Sequence, residues 1–248
     1  MRVAAIYDIH GNLPALEAVL EDIRREGVDQ IVVGGDVFPG PMARESLECL
    51  LHLRIPVHFI HGNGDRVVRE QLSGVEAVHL PEQVREVIRW NAQQLDRAHE
   101  HELARWPSTL RLSIDGQGEI LFCHATPRND TEIFTRLTDE DRLRGVFENA
   151  GVPLVICGHT HMQFDRRIGT TRVVNAGSVG MPFGPPGAYW LLLGPGLDLR
   201  HTQYDLEAAA DRIRATGYPQ AQEFAEHHIL RPPTEAEILD RYSTAELR

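Results

Sequence analysis

Seven side chains able to bind a divalent cation fall into five short clusters: Asp8-Ile9-His10, Gly35-Asp36, Gly62-Asn63, His124 and His159-Thr160-His161. Carboxylate oxygen and imidazole nitrogen suit Mn, Fe or Zn. Asp8 and His10 stand two residues apart, so at a strand end both can point to one side and share one ion. Asp36 follows Gly34 and Gly35, whose freedom lets the backbone turn sharply and carry a carboxylate inward, where it could bridge two ions. Asn63 lies between Gly62 and Gly64; its amide oxygen can ligate while its NH2 donates toward an anion. An asparagine in such a glycine-rich turn can equally be a plain left-handed turn residue. His124 closes an apolar run, where a lone histidine is often a satisfied core residue. His159 and His161 follow Gly158 at period-two spacing, so both rings can approach from one edge. Each cluster alone has a bland explanation, whereas the ensemble is enough for two cations sharing Asp36 and a water.

Each cluster follows a stretch expected to be a strand: 2–7, 30–33, 56–60, 119–123 and 154–157. Open α/β sheets gather their ligand-binding groups at strand ends. Between the first strands, 13–25 reads as an amphipathic helix with Leu16, Val19, Leu20 and Ile23 on one face, stopped by Gly27, and 42–53 as a second helix. A polar helical stretch with Val87, Ile88, Trp90 and Leu103 follows at 81–106. We expect a small helical cap at 70–107, placing side chains over the site, or else a plain packing pair. Residues 109–114, an Asp115-Gly116 turn and 119–123 form a hairpin pattern, and strands are expected again at 171–174 and 188–193. The C-terminal part, 205–248, is polar, with helices at 205–214 and 221–229 packed outside or used for self-association, so a homo-oligomer is one expectation. Alternating strands and helices indicate a layered α/β protein.

The chain has 248 residues, of which 42% are apolar, enough for a single domain over 1–248. Residues 1–10 lack a basic start and apolar stretch, and no run approaches the ~18 apolar residues of a membrane span, so a cytoplasmic protein without membrane partners is expected. Cys49, Cys123 and Cys157 are too widely spaced for a paired motif and suggest buried thiols. All 25 basic residues are arginine, which excludes Schiff-base and P-loop lysine chemistry. A net charge of −11 disfavours duplex nucleic acid as a partner.

Taken in order, Asp-x-His, Gly-Asp, Gly-Asn, His and Gly-His-x-His resemble the calcineurin-like metallophosphoesterases, of the compact prokaryotic phosphodiesterase type. Asn175-Ala176-Gly177-Ser178 also resembles that type's Asn-x-Gly-Ser segment, and the similarity spans at least 1–193. The resemblance implies a four-layer αββα sandwich of two mixed sheets. It implies one metal held by Asp8, His10, Asp36 and His161, and a second by Asp36, Asn63, His124 and His159. Two such ions, about 3.5–4 Å apart, would activate a bridging water for in-line attack on a small phosphorylated substrate. Asn63 and Arg128 are the expected contacts to phosphate oxygens, though Arg128 can also be a solvated loop charge.

One departure bears on substrate choice. Many family members carry histidine directly after the asparagine of the third block, where it protonates the leaving oxygen; this chain has Gly64, then Asp65. Loss of such an acid costs ~10²- to 10⁴-fold for basic leaving groups and much less for acidic ones. The expected substrates are therefore aryl phosphates, nucleotide-linked phosphodiesters and phosphoanhydrides. Asp65, His61, or a cap histidine among His79, His99 and His101 are the candidate replacements, and Asp65 can instead orient a ligand. Competing functions are an inactive module of this fold that binds protein partners, a phosphoprotein phosphatase, and a nuclease, the last of which would want a basic groove.

Overall fold

The computed structural model describes residues 1–247. Alternation along the first strand sets the layering. In β1 (Val3–Ile6), Val3, Ala5 and the following Tyr7 turn to one side and Ala4 and Ile6 to the other, all fully buried. Both faces are apolar because both are covered, as parallel strands require.

β1 pairs in parallel with β2 (Gln30–Val33), and β2 with β3 (Val57–Phe59), in the registers Val3↔Gln30 and Ile31↔Val57. β9 (Ala188–Leu193) and β10 (Leu197–Thr202) add antiparallel on the other flank, giving the order β10-β9-β1-β2-β3. The second sheet runs β4-β5-β6-β8-β7, from β4 (Thr109–Ile114), β5 (Gly118–Cys123), β6 (Leu154–Cys157), β7 (Phe164–Ile168) and β8 (Thr171–Asn175). β5, β6 and β8 are parallel, and the edge strands β4 and β7 are antiparallel.

Val3, Ala5, Tyr7 and Val32 of the first sheet meet Ile120, Phe122, Ile156 and Val174 of the second between the sheets. The outer face of the first sheet is covered by α1 (Leu13–Glu26) and α2 (Ala43–Leu51), which contribute Leu16, Val19, Ile23 and Leu47. Asn12 caps α1 by accepting from the Ala15 N–H at 3.2 Å, and Gly27 ends it at φ 63°. That left-handed stop satisfies the last carbonyls and suits glycine. The outer face of the second sheet is closed by α6 (Glu140–Glu148) through Leu143 and Phe147. The result is the expected four-layer sandwich.

The helical stretch expected at 70–107 comprises the end of α3 (Asn63–Leu72), α4 (Glu82–Gln93) and α5 (Arg97–Leu103). Its apolar side chains Ile88, Leu103 and Trp106 join the core on the outer face of the first sheet. α7 (Leu206–Arg214), α8 (Ala221–Phe224), a π-helical turn at Ala225–Leu230 and α9 (Glu235–Ser243) follow the sheets. Four of these elements carried no pattern in the sequence. β7 is a polar edge strand, β10 alternates weakly, α3 opens on Asn63 between two glycines, and α6 is short. Among the described residues no helix is long and apolar enough to cross a membrane.

Candidate active site

The loops after β1, β2, β3, β5 and β6 meet at one edge of the sandwich, and all seven ligand candidates meet there. Asp8, His10, Asp36, His159 and His161 have φ of 52°, 45°, 54°, 67° and 57°. Left-handed backbone at five residues other than glycine costs about 1–3 kcal/mol each and persists only where surrounding bonds enforce it. Those bonds are present: Asp8 N–H donates to Gly35 O at 3.0 Å, His10 N–H to Asp36 O at 2.9 Å and Gly158 N–H to His124 O at 2.8 Å. Gly158 is obligatory because a Cβ there would stand 2.5 Å from Asp8 Oδ2.

Two triads result, Asp8 with His10 and His161, and Asp36 with His124 and His159, each with ligand atoms within 4.8 Å of one another. The triads adjoin. Asp36 Oδ2 lies 3.4 Å from His124 Nε2 and 3.7 Å from His10 Nε2, so it faces both. Asp8 Oδ1 is sealed from solvent, has no hydrogen-bond partner, and is ringed by Nε2 of His161, His124 and His10 at 3.3, 3.8 and 3.9 Å.

Each imidazole is anchored by a main-chain carbonyl on its far side. The partners are Pro39 O for His10 Nδ1 at 3.2 Å, Gly34 O for His124 Nδ1 at 3.0 Å, Thr131 O for His159 Nε2 at 3.2 Å and Met181 O for His161 Nδ1 at 2.7 Å. A ring that donates one N–H to a carbonyl presents its other nitrogen as an electron-pair donor, the usual arrangement of a metal-ligating histidine. The Asn63 side chain completes the second triad: in one orientation its Oδ1 lies 3.1 Å from His124 Nε2. Turned over, its NH2 instead donates to Asp130 O and to both histidines. With a cation held by His124 and His159, the first orientation would let the amide oxygen serve as a further ligand.

The electrostatics agree with a site built for positive charge. Burial opposes a charged ring at His124, but Asp36 and then Asp8 outweigh it and raise its pKa to about 10. Burial opposes charge at His161 too, and Asp8 overcomes it. Burial and the neighbouring His124 hold His159 down to about 4.

Asn63 does not sit in a turn. It opens α3, and Gly62 precedes the helix in extended conformation. Gly64 N–H donates to Asp36 Oδ1 at 2.7 Å, and a Cβ at 64 would stand 2.2 Å from Phe38 O. The close approach of the helix start to the Asp36 loop therefore leaves no room for a side chain where a proton donor would be expected. Asp65, named above as a candidate acid, is buried with its carboxylate accepting from the N–H groups of Asp36 (2.7 Å), Gly62 (2.9 Å) and Phe38 (3.0 Å). Burial, then the Asp36 charge, push its pKa up to about 7 against the pull of those bonds. Its position is that of a clamp between the second and third clusters, away from the cleft.

His61 and Arg128 do border a cleft, of about 270 Å³, alongside His124, Thr109, Thr126 and Asp130. His61 Nδ1 has no hydrogen-bond partner and lies 3.7 Å from Asp130 Oδ2. The Arg128 guanidinium is folded onto Glu132, with bonds of 2.6 and 2.9 Å. Of the histidines expected in a cap, His99 is engaged by Asp96 at 2.8 Å and faces Glu48.

Positioning residues to which the sequence assigned no role come from 175–180. Asn175 donates to Gly158 O at 2.6 Å and Thr160 Oγ1 at 3.1 Å, and Ser178 donates to Asp8 O at 2.8 Å. The Asn-x-Gly-Ser pattern was their only signal. Phe183 stacks on His161 at 5.1 Å and meets Tyr242 edge-on, a contact with no trace in the sequence.

The model of the calcineurin-like phosphoesterase superfamily domain matches residues 1–193. The chain belongs to this superfamily. It is a phosphoric ester hydrolase, and the family is metal-dependent. This phosphoesterase is similar to a metallophosphoesterase from Sphaerobacter thermophilus, with 26% identity, a TM-score of 0.73, and coverage of 93% of this chain and 98% of that one. It shares its fold with hypothetical protein PH1004 from Pyrococcus horikoshii OT3, at 22% identity and a TM-score of 0.77 over 94% and 99% of the two chains. In sequence it is 27% identical over 243 residues to the uncharacterized protein MJ0912 of Methanocaldococcus jannaschii, covering 88% of this chain and 94% of the relative.

Proposed function

We propose that this phosphoesterase binds two divalent cations and hydrolyses small phosphodiesters or nucleotide phosphoanhydrides whose leaving groups depart readily. The observation that carries this is Asp8 Oδ1, a sealed carboxylate oxygen with no donor of its own, encircled by three imidazole nitrogens. Leaving such an oxygen unpaired is costly, and a cation relieves it.

Asp8, His10 and His161 would hold one ion, and His124, His159 and Asn63 the other, with Asp36 shared. Two ions there would supply an activated water at neutral pH and neutralise charge on the phosphoryl oxygens. The chain's own groups do the rest. Four carbonyl-anchored rings and the Asp65 clamp fix the ligands before substrate arrives, which preorganises the site. Asn63, at the first turn of α3, points its amide at the same centre and can turn its NH2 toward a phosphate oxygen. His61 lines the cleft on the His124 side and would offer a polar contact to a departing oxygen. With glycine at 64, no donor of the usual kind assists departure, so esters of acidic alcohols and phenols are favoured.

The test is a substrate panel with chelator-treated protein reloaded with Mn, Fe or Zn. Bis(p-nitrophenyl) phosphate, p-nitrophenyl phosphate, a phosphopeptide and a nucleoside diphosphate are compared at neutral pH. Metal-dependent hydrolysis strongest on the diester or the anhydride is expected. No metal-dependent turnover of either, or a clear preference for the phosphopeptide, overturns the proposal.

A further inference from the structure

On the opposite flank of the cluster, the C-terminal helices form a second cleft, of about 180 Å³, that opens beside His10. Tyr218, Phe224, Met181 and His228 wall it, and Gln220 and Glu223 stand at its rim. Tyr218 and Phe224 are almost wholly buried, and their rings meet edge-on at 6.1 Å. Trp90 of α4 backs Tyr218 edge-on at 5.4 Å.

His228 projects from the π-helical turn Ala225–Leu230 that directly continues α8. Single π turns recur at functional sites because the extra residue re-aims a side chain. The His228 Nδ1 is sealed from solvent and has no hydrogen-bond partner, so Nε2 is the ring nitrogen left for a ligand. The Phe224 ring lies against it at 5.1 Å. Burial, and then the proximity of His161 and His10, hold the ring neutral, with a pKa near 3.

The two clefts differ in character. The one by His124 is polar, lined by His61, Thr126, Arg128 and Asp130, and offers no aromatic wall to an uncharged ring. The one by His10 is walled by aromatic rings and suits an uncharged planar group. Its volume is adequate, since an apolar cavity of ~150 Å³ accepts benzene. Glu223 at the rim would repel a second phosphate.

Resting on the phosphodiester reading above, we propose that this C-terminal cleft receives the non-leaving ester group of the substrate, a planar ring system, and that His228 is a specificity-determining contact to it. The segment lies beyond residues 1–193 matched by the family domain.

The experiment compares two diesters with the same leaving group and charge, bis(p-nitrophenyl) phosphate and methyl p-nitrophenyl phosphate, on the full chain with Mn²⁺. Wild type should prefer the bis-aryl ester, chiefly through KM. In His228→Ala that preference in kcat/KM should fall by about 10-fold or more, the scale of one lost buried contact to a ligand. His228→Gln, which keeps an N–H donor near Nε2, should recover part of it. Circular dichroism and manganese stoichiometry establish that each variant is folded and loaded. If His228→Ala does not fold, His228→Gln and His228→Leu carry the comparison. A preference within twofold of wild type in the folded variants overturns the assignment while leaving the phosphodiesterase proposal intact. A wild type inactive on both esters removes the diester part of that proposal first, and the cleft assignment with it.

Discussion

Asp65→Ala separates positioning from proton donation. The Asp65 carboxylate accepts three buried N–H groups, those of Asp36, Gly62 and Phe38. Truncation leaves all three without an acceptor, each at about 1–3 kcal/mol. Some local relaxation and water entry bring the sum to about 3–5 kcal/mol. For a chain of this length 1 kcal/mol moves Tm by roughly 2–4 °C, so a fall of roughly 6–20 °C is expected. Asp65→Asn keeps one or two of the bonds and should lose about half as much. Because the lost clamp holds the Asp36 loop against the start of α3, cation affinity should weaken about 10- to 100-fold, the usual effect of removing a ligand's support. Thermal melts report the first quantity. Initial rates on aryl methyl phosphates of graded leaving-group pKa, over a range of Mn²⁺, report the second. Positioning predicts a uniform loss across leaving groups that high Mn²⁺ largely repairs. A melting point within about 2 °C of wild type, or a loss that grows steadily with leaving-group pKa at saturating Mn²⁺, refutes the clamp.

Asp36→Ala should lower turnover by at least about 10³-fold and reduce bound manganese by one or more ions per chain, read by elemental analysis, since Asp36 Oδ2 faces both triads. Cation binding should release protons. With its pKa raised to about 10, His124 holds a proton at pH 7 that a ligating ring must give up, so affinity should rise about tenfold per pH unit per proton between pH 6 and 8. Calorimetry in buffers of different ionisation enthalpy measures this, and a buffer-independent heat would contradict it. Asn175→Ala should cost about 1–3 kcal/mol and weaken cation binding, because it orphans the Gly177 N–H and removes the amide donor that ties the Gly158 carbonyl and Thr160 Oγ1 of the turn carrying His159. Urea unfolding gives the first value and manganese titration the second.

The sequence alone was enough to bring the candidate ligands into view. Asp8, His10, Asp36, Asn63, His124, His159 and His161 lie within a few residues of strand ends, and strand ends are legible because both faces of the parallel strands are buried and read as short apolar runs. That pattern also fixed α1, α2 and the central strands. Edge strands β7 and β10 and the short α6 were illegible, since half-exposed polar strands, and a helix whose apolar side chains are Leu143, Val146 and Phe147 alone, carry too little apolar periodicity to stand out.

What only the tertiary structure decided is where side chains far apart in the chain finish. The Asp65 carboxylate turns to three backbone donors because α3 begins at Asn63 and abuts the Asp36 loop. The histidine tautomers depend on carbonyls of Pro39, Gly34, Thr131 and Met181, which no local spacing reveals. His228 reaches the cleft beside His10 across more than two hundred residues of chain, through packing of α7 and α8 that has no counterpart in the motif pattern. Residue type and spacing set which atoms can bind a cation; packing of distant segments set which of them face one another.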